Sequence, residues 1–170
     1  MTDLIRGVTE ADWPEVVALE AEAYADTPLT EGEAALRSRA AAGTCFVLDL
    51  DGRIAGYALA LPCPRFSYPD LARAEQCAHP RTGVSNLHLH DLVVTAPLRR
   101  RGLGTRLARH LSEVARVRGF ATMSLIAVAG KEPFWRANGY RPHHEARLPA
   151  GYGSDAVYMS ARLAAAREAS

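Results

Sequence analysis

Residues Leu87 to Val117 constrain the fold most strongly. A mostly apolar run from Leu87 to Val94 reads as a buried strand. A basic turn follows, Arg99-Arg100-Arg101-Gly102-Leu103-Gly104. Leu103, Leu107, Leu111 and Val114 then recur at helical spacing, with Arg106, Arg109, Glu113 and Arg116 on the opposite side. A strand, a glycine turn and a helix in succession aim free backbone N–H groups at an anion, and the helix dipole adds positive charge at the same point. Gly102 and Gly104 have no Cβ, so a ligand can approach the main chain. The expected element is a pyrophosphate cradle.

Two nucleotide-binding motifs share this physics, and the residues exclude both. A P-loop needs Lys-Ser/Thr after its last glycine, whereas Thr105-Arg106 follows Gly104. The dinucleotide fingerprint G-x-G-x-x-G needs a third glycine where Leu107 stands. It also expects an acidic residue ending the next strand, and Met123 to Val128 has none.

What remains resembles the acetyl-coenzyme A site of the GNAT N-acetyltransferase superfamily. That family carries Arg/Gln-x-x-Gly-x-Gly/Ala between its fourth strand and third helix, and Arg99, Gly102 and Gly104 match it residue by residue. The segment Asp91-Leu92-Val93-Val94-x-x-Pro97 is similar to the family's strand and following proline. Phe134-Trp135-x-x-x-Gly139-Tyr140 is similar to its aromatic pair and Gly-Phe segment. The resemblance implies an α/β (mixed α+β) GNAT fold. Its twisted central sheet would have about seven mostly antiparallel strands and about four flanking helices, splayed between strands 4 and 5.

The length of 170 residues suits a single domain, 1–170, with no internal repeat or linker. A net charge of +1 argues against a general nucleic-acid or membrane-surface binder. No signal peptide or membrane-length apolar run is evident. Cys45, Cys63 and Cys77 lack C-x-x-C spacing, which favours free thiols and a cytoplasmic protein.

Along the chain, Leu4–Val8 reads as a first strand and Thr9 to Asp12 as a variant capping box opening a helix to about Tyr24. Thr30 is expected to cap a second helix from Glu31 to about Ala41. Asp51-Gly52 marks a hairpin between Thr44–Leu50 and Arg53–Leu61. Pro62 to Asn86 is irregular and reads either as a specificity loop or as a connector. Strict alternation over Leu87–Thr95 would place His88, His90, Leu92 and Val94 on one face, with Leu89, Asp91 and Val93 on the other. His88-x-His90 lacks a third spaced ligand, so no metal site is expected. Met123–Val128, a strand opening at Tyr140, and Ala156–Leu163 complete the expected sheet, with His143 to Glu145 as a polar loop.

By resemblance, acetyl-CoA is the cofactor. The amides of Arg100 to Thr105, including Leu103, would hold its pyrophosphate, helped by the side chains of Arg99, Arg100 and Arg101. The main chain of Leu92, Val93 and Val94 would pair with its pantetheine arm, with Phe134 and Trp135 beside it. The first two helices would form the acceptor wall, making Glu20, Glu22, Tyr24 and Glu31 candidate amine contacts. The expected reaction is direct acetyl transfer to the primary amine of a small molecule or peptide, in a possible homodimer. The alternative is a non-catalytic acyl-CoA sensor. A carboxylate in an apolar strand is costly unless paired or functional, so Asp91 is the first candidate base and His90 the second. Many family members protonate the leaving thiolate with a tyrosine where this chain has Trp135. Indole is no usable acid, so the role is left to Tyr140, Tyr152, Tyr158 or no residue.

Overall fold

The structure is a computed structural model and describes residues 3–71 and 84–165. Its elements in order are β1 (Asp3–Gly7), α1 (Trp13–Ala23), α2 (Glu33–Arg39), β2 (Cys45–Leu50), β3 (Arg53–Pro62) and β4 (Asn86–Val94). Then come α3 (Leu103–Val117), β5 (Thr122–Ala127), α4 (Glu132–Ala137), β6 (Arg141–His143) and β7 (Val157–Arg162). The seven strands form one open sheet in the order β1-β2-β3-β4-β5-β7-β6. Every neighbouring pair is antiparallel except β4 and β5. The fold is the mixed GNAT-type sheet with four helices that the sequence led us to expect.

Both faces of the sheet are covered, which is why its central strands are apolar on both sides. Leu107, Ala108, Leu111 and Ala115 of α3, with Trp135 of α4, pack on one face. Trp13, Val16 and Leu19 of α1 and Leu36 of α2 pack on the other. Arg106 and Arg109 of α3 stay exposed, as its amphipathic pattern requires.

Two features shape the centre. Parallel pairing of β4 with β5 runs only from Asn86↔Thr122 to Leu89↔Leu125, and beyond it the strands part. The β3–β4 register also shifts, because Leu59 faces Asp91 while Ala60 faces Leu89, leaving His90 as an extra residue on β4. This bulge overturns the strict alternation expected for β4. Leu87 and Leu89 share a face with Leu92 and Val94, whereas Val93 packs with the α1–α2 layer. His90 and Asp91, expected on opposite faces, both line a chamber beside Tyr24 of the α1–α2 layer.

Helix α2 begins later than expected, at Glu33, behind Gly32 at φ +86°. Thr30 is therefore not its cap; its hydroxyl donates to the Tyr24 carbonyl. His143 belongs to β6 rather than to a loop and bonds Ser160 at 2.7 Å. Cys45 is a buried free thiol, but Cys63 is disulfide-bonded, which corrects the expectation of free thiols throughout. Cys77 and residues 72–83 of the irregular Pro62–Asn86 stretch lie outside the described residues, as do residues 166–170. No helix among the described residues is long and apolar enough to cross a membrane.

Candidate active site

The parting of β4 and β5 opens a cleft of about 700 Å³. Its walls include Leu92, Val93 and Val94 of β4, Leu125 and Ile126 of β5, and Phe134 and Trp135 of α4. At one end lie Arg99, Arg100, Gly102, Gly104 and Thr105, and at the other Tyr24, Leu29 and His90. Past Leu89, β4 has no strand partner on the β5 side, so its edge offers backbone groups to an extended ligand.

The turn before α3 has a geometry that can hold an anion. Arg100 and Gly102 both take left-handed backbone, at φ +62° and +77°. The first α-helical bond runs from the Arg106 amide to the Gly102 carbonyl at 3.0 Å. The amides of Leu103, Gly104 and Thr105 therefore have no acceptor within the helix. The Arg99 Nε donates to the Val94 carbonyl at 2.9 Å, tying the turn to the end of β4. Arg100 and Arg101 are exposed and add positive charge. A Cβ built on Gly104 would lie 3.4 Å from Phe134 and 3.5 Å from Leu92, so the cleft is narrow there. These residues fit a diphosphate followed by a strand-like arm: dipole, amides and charge at one end, and an open strand edge leading from it.

At the other end, the bulge turns His90 and Asp91 toward α1 and α2. A smaller chamber of about 40 Å³ lies there, lined by Tyr24, Leu29, His88, His90, Asp91 and Tyr152 among others. Asp91 is 7% exposed and lines this chamber but not the larger cleft. The Tyr24 hydroxyl donates to its Oδ1 and the Tyr57 hydroxyl to its Oδ2, each at 3.0 Å. Burial, reinforced by Asp91, pushes both phenols well above their ordinary pKa, so they remain protonated donors. His90 lines both cavities. Its Nε2 bonds the Glu31 carboxylate, and Arg39 grips the same carboxylate.

Among the candidate acceptor contacts, Tyr24 and Glu31 join the site through Asp91 and His90. Glu20 is fully buried behind them, and one of its carboxylate oxygens takes the Glu31 amide. Burial pushes the Glu20 pKa up. Glu22 is exposed and stays outside. His88 is 1% exposed, and its Nδ1 lies 2.9 Å from the Ser124 hydroxyl. Asn86 Nδ2 donates to the same Ser124 oxygen at 2.9 Å. His88 is thus a core histidine. Among the described residues no group of three His, Cys, Asp or Glu side chains is placed to hold a metal ion.

Of the tyrosines considered as acids, Tyr140 is buried against Met123 and Tyr158 accepts the Phe66 amide at 2.8 Å. Neither lines the cleft or the smaller chamber; of these two cavities Tyr152 lines the chamber. The partners Tyr24 and Glu31 lie 67 and 59 residues from Asp91 and His90. No local sequence pattern announces such pairings; the only signal was membership of the first two helices.

Comparison with known proteins agrees with this fold. Among curated protein sequences none matches the chain. The fold is similar to the loading GNATL domain of CurA from Lyngbya majuscula, with a TM-score of 0.80 and 14% identity, over 96% of this chain and 98% of that one. It is similar to the ribosomal-protein-S18-alanine N-acetyltransferase of Escherichia coli, with a TM-score of 0.64 and 19% identity, over 98% and 97%. It is also similar to N-acetylglutamate synthase from Neisseria gonorrhoeae complexed with coenzyme A and N-acetyl-glutamate, with a TM-score of 0.71 and 18% identity. That match covers 96% of this chain and 36% of the synthase, so the chain spans about a third of that protein's length. The sequence profile of the Acetyltransferase (GNAT) family matches residues 7–140, and the chain belongs to that family.

Proposed function

We propose that the protein is an acetyl-CoA-dependent N-acetyltransferase, acting as one domain on a primary amine by direct attack. One observation carries the proposal. The strand edge freed where β4 leaves β5 at Leu89 runs to the unpaired amides at the start of α3. That arrangement suits a diphosphate with a thioester arm lying along Leu92 to Val94. A backbone N–H on this edge can polarise the thioester carbonyl. Coenzyme A in the N-acetylglutamate synthase complex, together with N-acetylation in the names of two similar structures, supports this choice of chemistry.

His90 is the better candidate base. It faces the cleft, whereas Asp91 stands behind it with both oxygens already accepting phenols. An ammonium acceptor gives one proton to His90, and its freed lone pair attacks the thioester carbon. The carbon–sulfur bond breaks and its electrons go to sulfur. The second amine proton ends on that sulfur as the thiol, and the imidazolium returns its proton to water. Asp91 holds Tyr24 at the mouth of the chamber and adds negative charge that favours a cationic amine.

Calorimetric titration with CoA tests the first half of the proposal, and acetyl-CoA consumption with a panel of amines tests the second. Saturable binding and turnover of at least one primary amine are expected. Folded protein that gives no heat with CoA refutes the cradle. Binding without turnover across a broad panel makes the chain an acyl-CoA sensor instead.

A further inference from the structure

Glu31 has a partner on each side, and the arrangement is directional. Its side chain is 3% exposed, that of His90 4% and that of Arg39 0%. Arg39 Nε reaches Glu31 Oε2 at 3.1 Å, and Arg39 Nη2 also donates to the Asp70 carbonyl at 3.0 Å. The other Glu31 oxygen bonds His90 Nε2. Burial pushes the Glu31 carboxyl up, but His90 and Arg39 outweigh it and hold it below its ordinary value. It is therefore a carboxylate at neutral pH, and a carboxylate only accepts. Nε2 must be the donor, so the lone pair of a neutral His90 sits on Nδ1. That nitrogen has no hydrogen-bond partner among the described residues, and the ring lines the cleft.

We infer that Glu31, locked by Arg39, is a positioning residue that fixes the tautomer and ring orientation of His90 for proton abstraction. The inference rests on the proposal that His90 is the base. The segment between α1 and α2 that carries Glu31 is itself held, because the Glu31 amide donates to buried Glu20 and the Thr30 hydroxyl to the Tyr24 carbonyl. Glu31 is thus fixed by main chain as well as by Arg39. A carboxylate behind an imidazole also stabilises the imidazolium that forms when the proton is taken.

A buried ion pair can also serve stability alone, so the test separates the two roles. Glu31→Gln removes the charge. The double variant Glu31→Leu/Arg39→Leu removes both charges and leaves no unpaired buried ion, a change that proteins often tolerate. Wild-type protein should show an exchange-protected, downfield imidazole N–H proton from His90 Nε2 in its NMR spectrum, and His90→Gln assigns it. The double variant should lose this signal, bind CoA as wild type does, and show kcat lowered at least tenfold with KM for acetyl-CoA unchanged. Glu31→Gln should fall between the two. Wild-type kcat in the folded double variant overturns the inference, as does absence of the signal in wild-type protein. If wild-type protein shows the signal and binds CoA but acetylates no amine, the contact stands and the transferase proposal fails.

Discussion

The Tyr57 hydroxyl donates to Asp91 Oδ2 at 3.0 Å from a fully buried position on β3. Tyr24 does the same to Oδ1 from the end of α1. Asp91 thus ties β3 and β4 of the sheet to the end of α1. Tyr57→Phe keeps the ring and removes one of the two donors. Leaving a buried carboxylate oxygen without its partner costs about 1–3 kcal/mol. Urea unfolding of Tyr57→Phe should show that loss with an unchanged m-value. An effect below about 0.5 kcal/mol would mean that water replaces the phenol.

Much of this architecture was legible in the residues. The strand, turn and helix from Leu87 to Val117 announced themselves by period and by Gly102 and Gly104, because both signals are local. The capping box at Thr9 and Asp12 was visible for the same reason and is present. The bulge at His90 was not legible, since it adds one residue without changing composition. Strict alternation therefore separated His90 from Asp91, and an apolar strand gave no warning. The start of α2 was misread because Thr30 looks like a cap. Tertiary contacts override it: buried Glu20 takes the Glu31 amide, and Gly32 at φ +86° lies outside helical backbone, so the helix starts only at Glu33. The pairing of Glu31 with Arg39 and His90 depends on how α2 folds back, which no spacing encodes.

Asp12 makes a prediction at acid pH. Its bidentate bond to Arg6, at 2.8 and 2.9 Å, and its Thr9 contacts overcome burial and hold its pKa at about 2. In the unfolded chain the group titrates near 4. The folded value is the lower, so this stabilisation is present above about pH 4 and lost as pH falls toward 2. It amounts to roughly 2 kcal/mol. Chemical denaturation at pH 6 and pH 2.5 should show a smaller pH-dependent loss in Asp12→Asn than in wild type. Equal losses would refute the assignment.

His88 acts in a different window. Burial, then the neighbouring His90 and Arg39, push its pKa down to about 3. The unfolded imidazole titrates near 6.5, so the unfolded state takes up a proton first as pH falls. Stability from this group is full above about pH 6.5 and is lost progressively toward pH 3. By pH 4.5 the loss should be roughly 3 kcal/mol relative to pH 7.5. His88→Gln should be less stable at pH 7.5 but flatter across this range. A wild-type protein with no loss between pH 7 and pH 5 would show that His88 charges within the fold.

Gly56 pairs with Leu48 on one side and Val94 on the other. A Cβ there would lie 2.6 Å from the Val93 carbonyl oxygen, which is backbone and cannot rotate away. Gly56→Ala must therefore push β3 from β4 beside the cleft. Overpacking of this kind costs about 1–3 kcal/mol. The thermal midpoint should fall by several degrees. Gly7→Ala, where nothing lies within 4 Å, serves as the control and should change little.

Arg100 and Arg101 should contribute through charge rather than through a fixed bond. Both are exposed, and Arg100 lines the cleft beside the start of α3, whereas Arg99 is held by the Val94 carbonyl. Exposed charges act on an anion through solvent and are screened over about 10 Å at 0.1 M salt. If the proposed cradle is correct, the double variant Arg100→Ala/Arg101→Ala should weaken CoA binding about tenfold at low salt, or about 1.4 kcal/mol. The deficit should shrink as salt rises, because screening removes what the arginines supplied. Arg99→Ala should behave otherwise. It releases the tie between the turn and β4, so its loss of affinity should persist at high salt. Calorimetric titrations at 20 mM and 500 mM salt separate the two cases, and equal salt dependence for both variants would refute the division of roles.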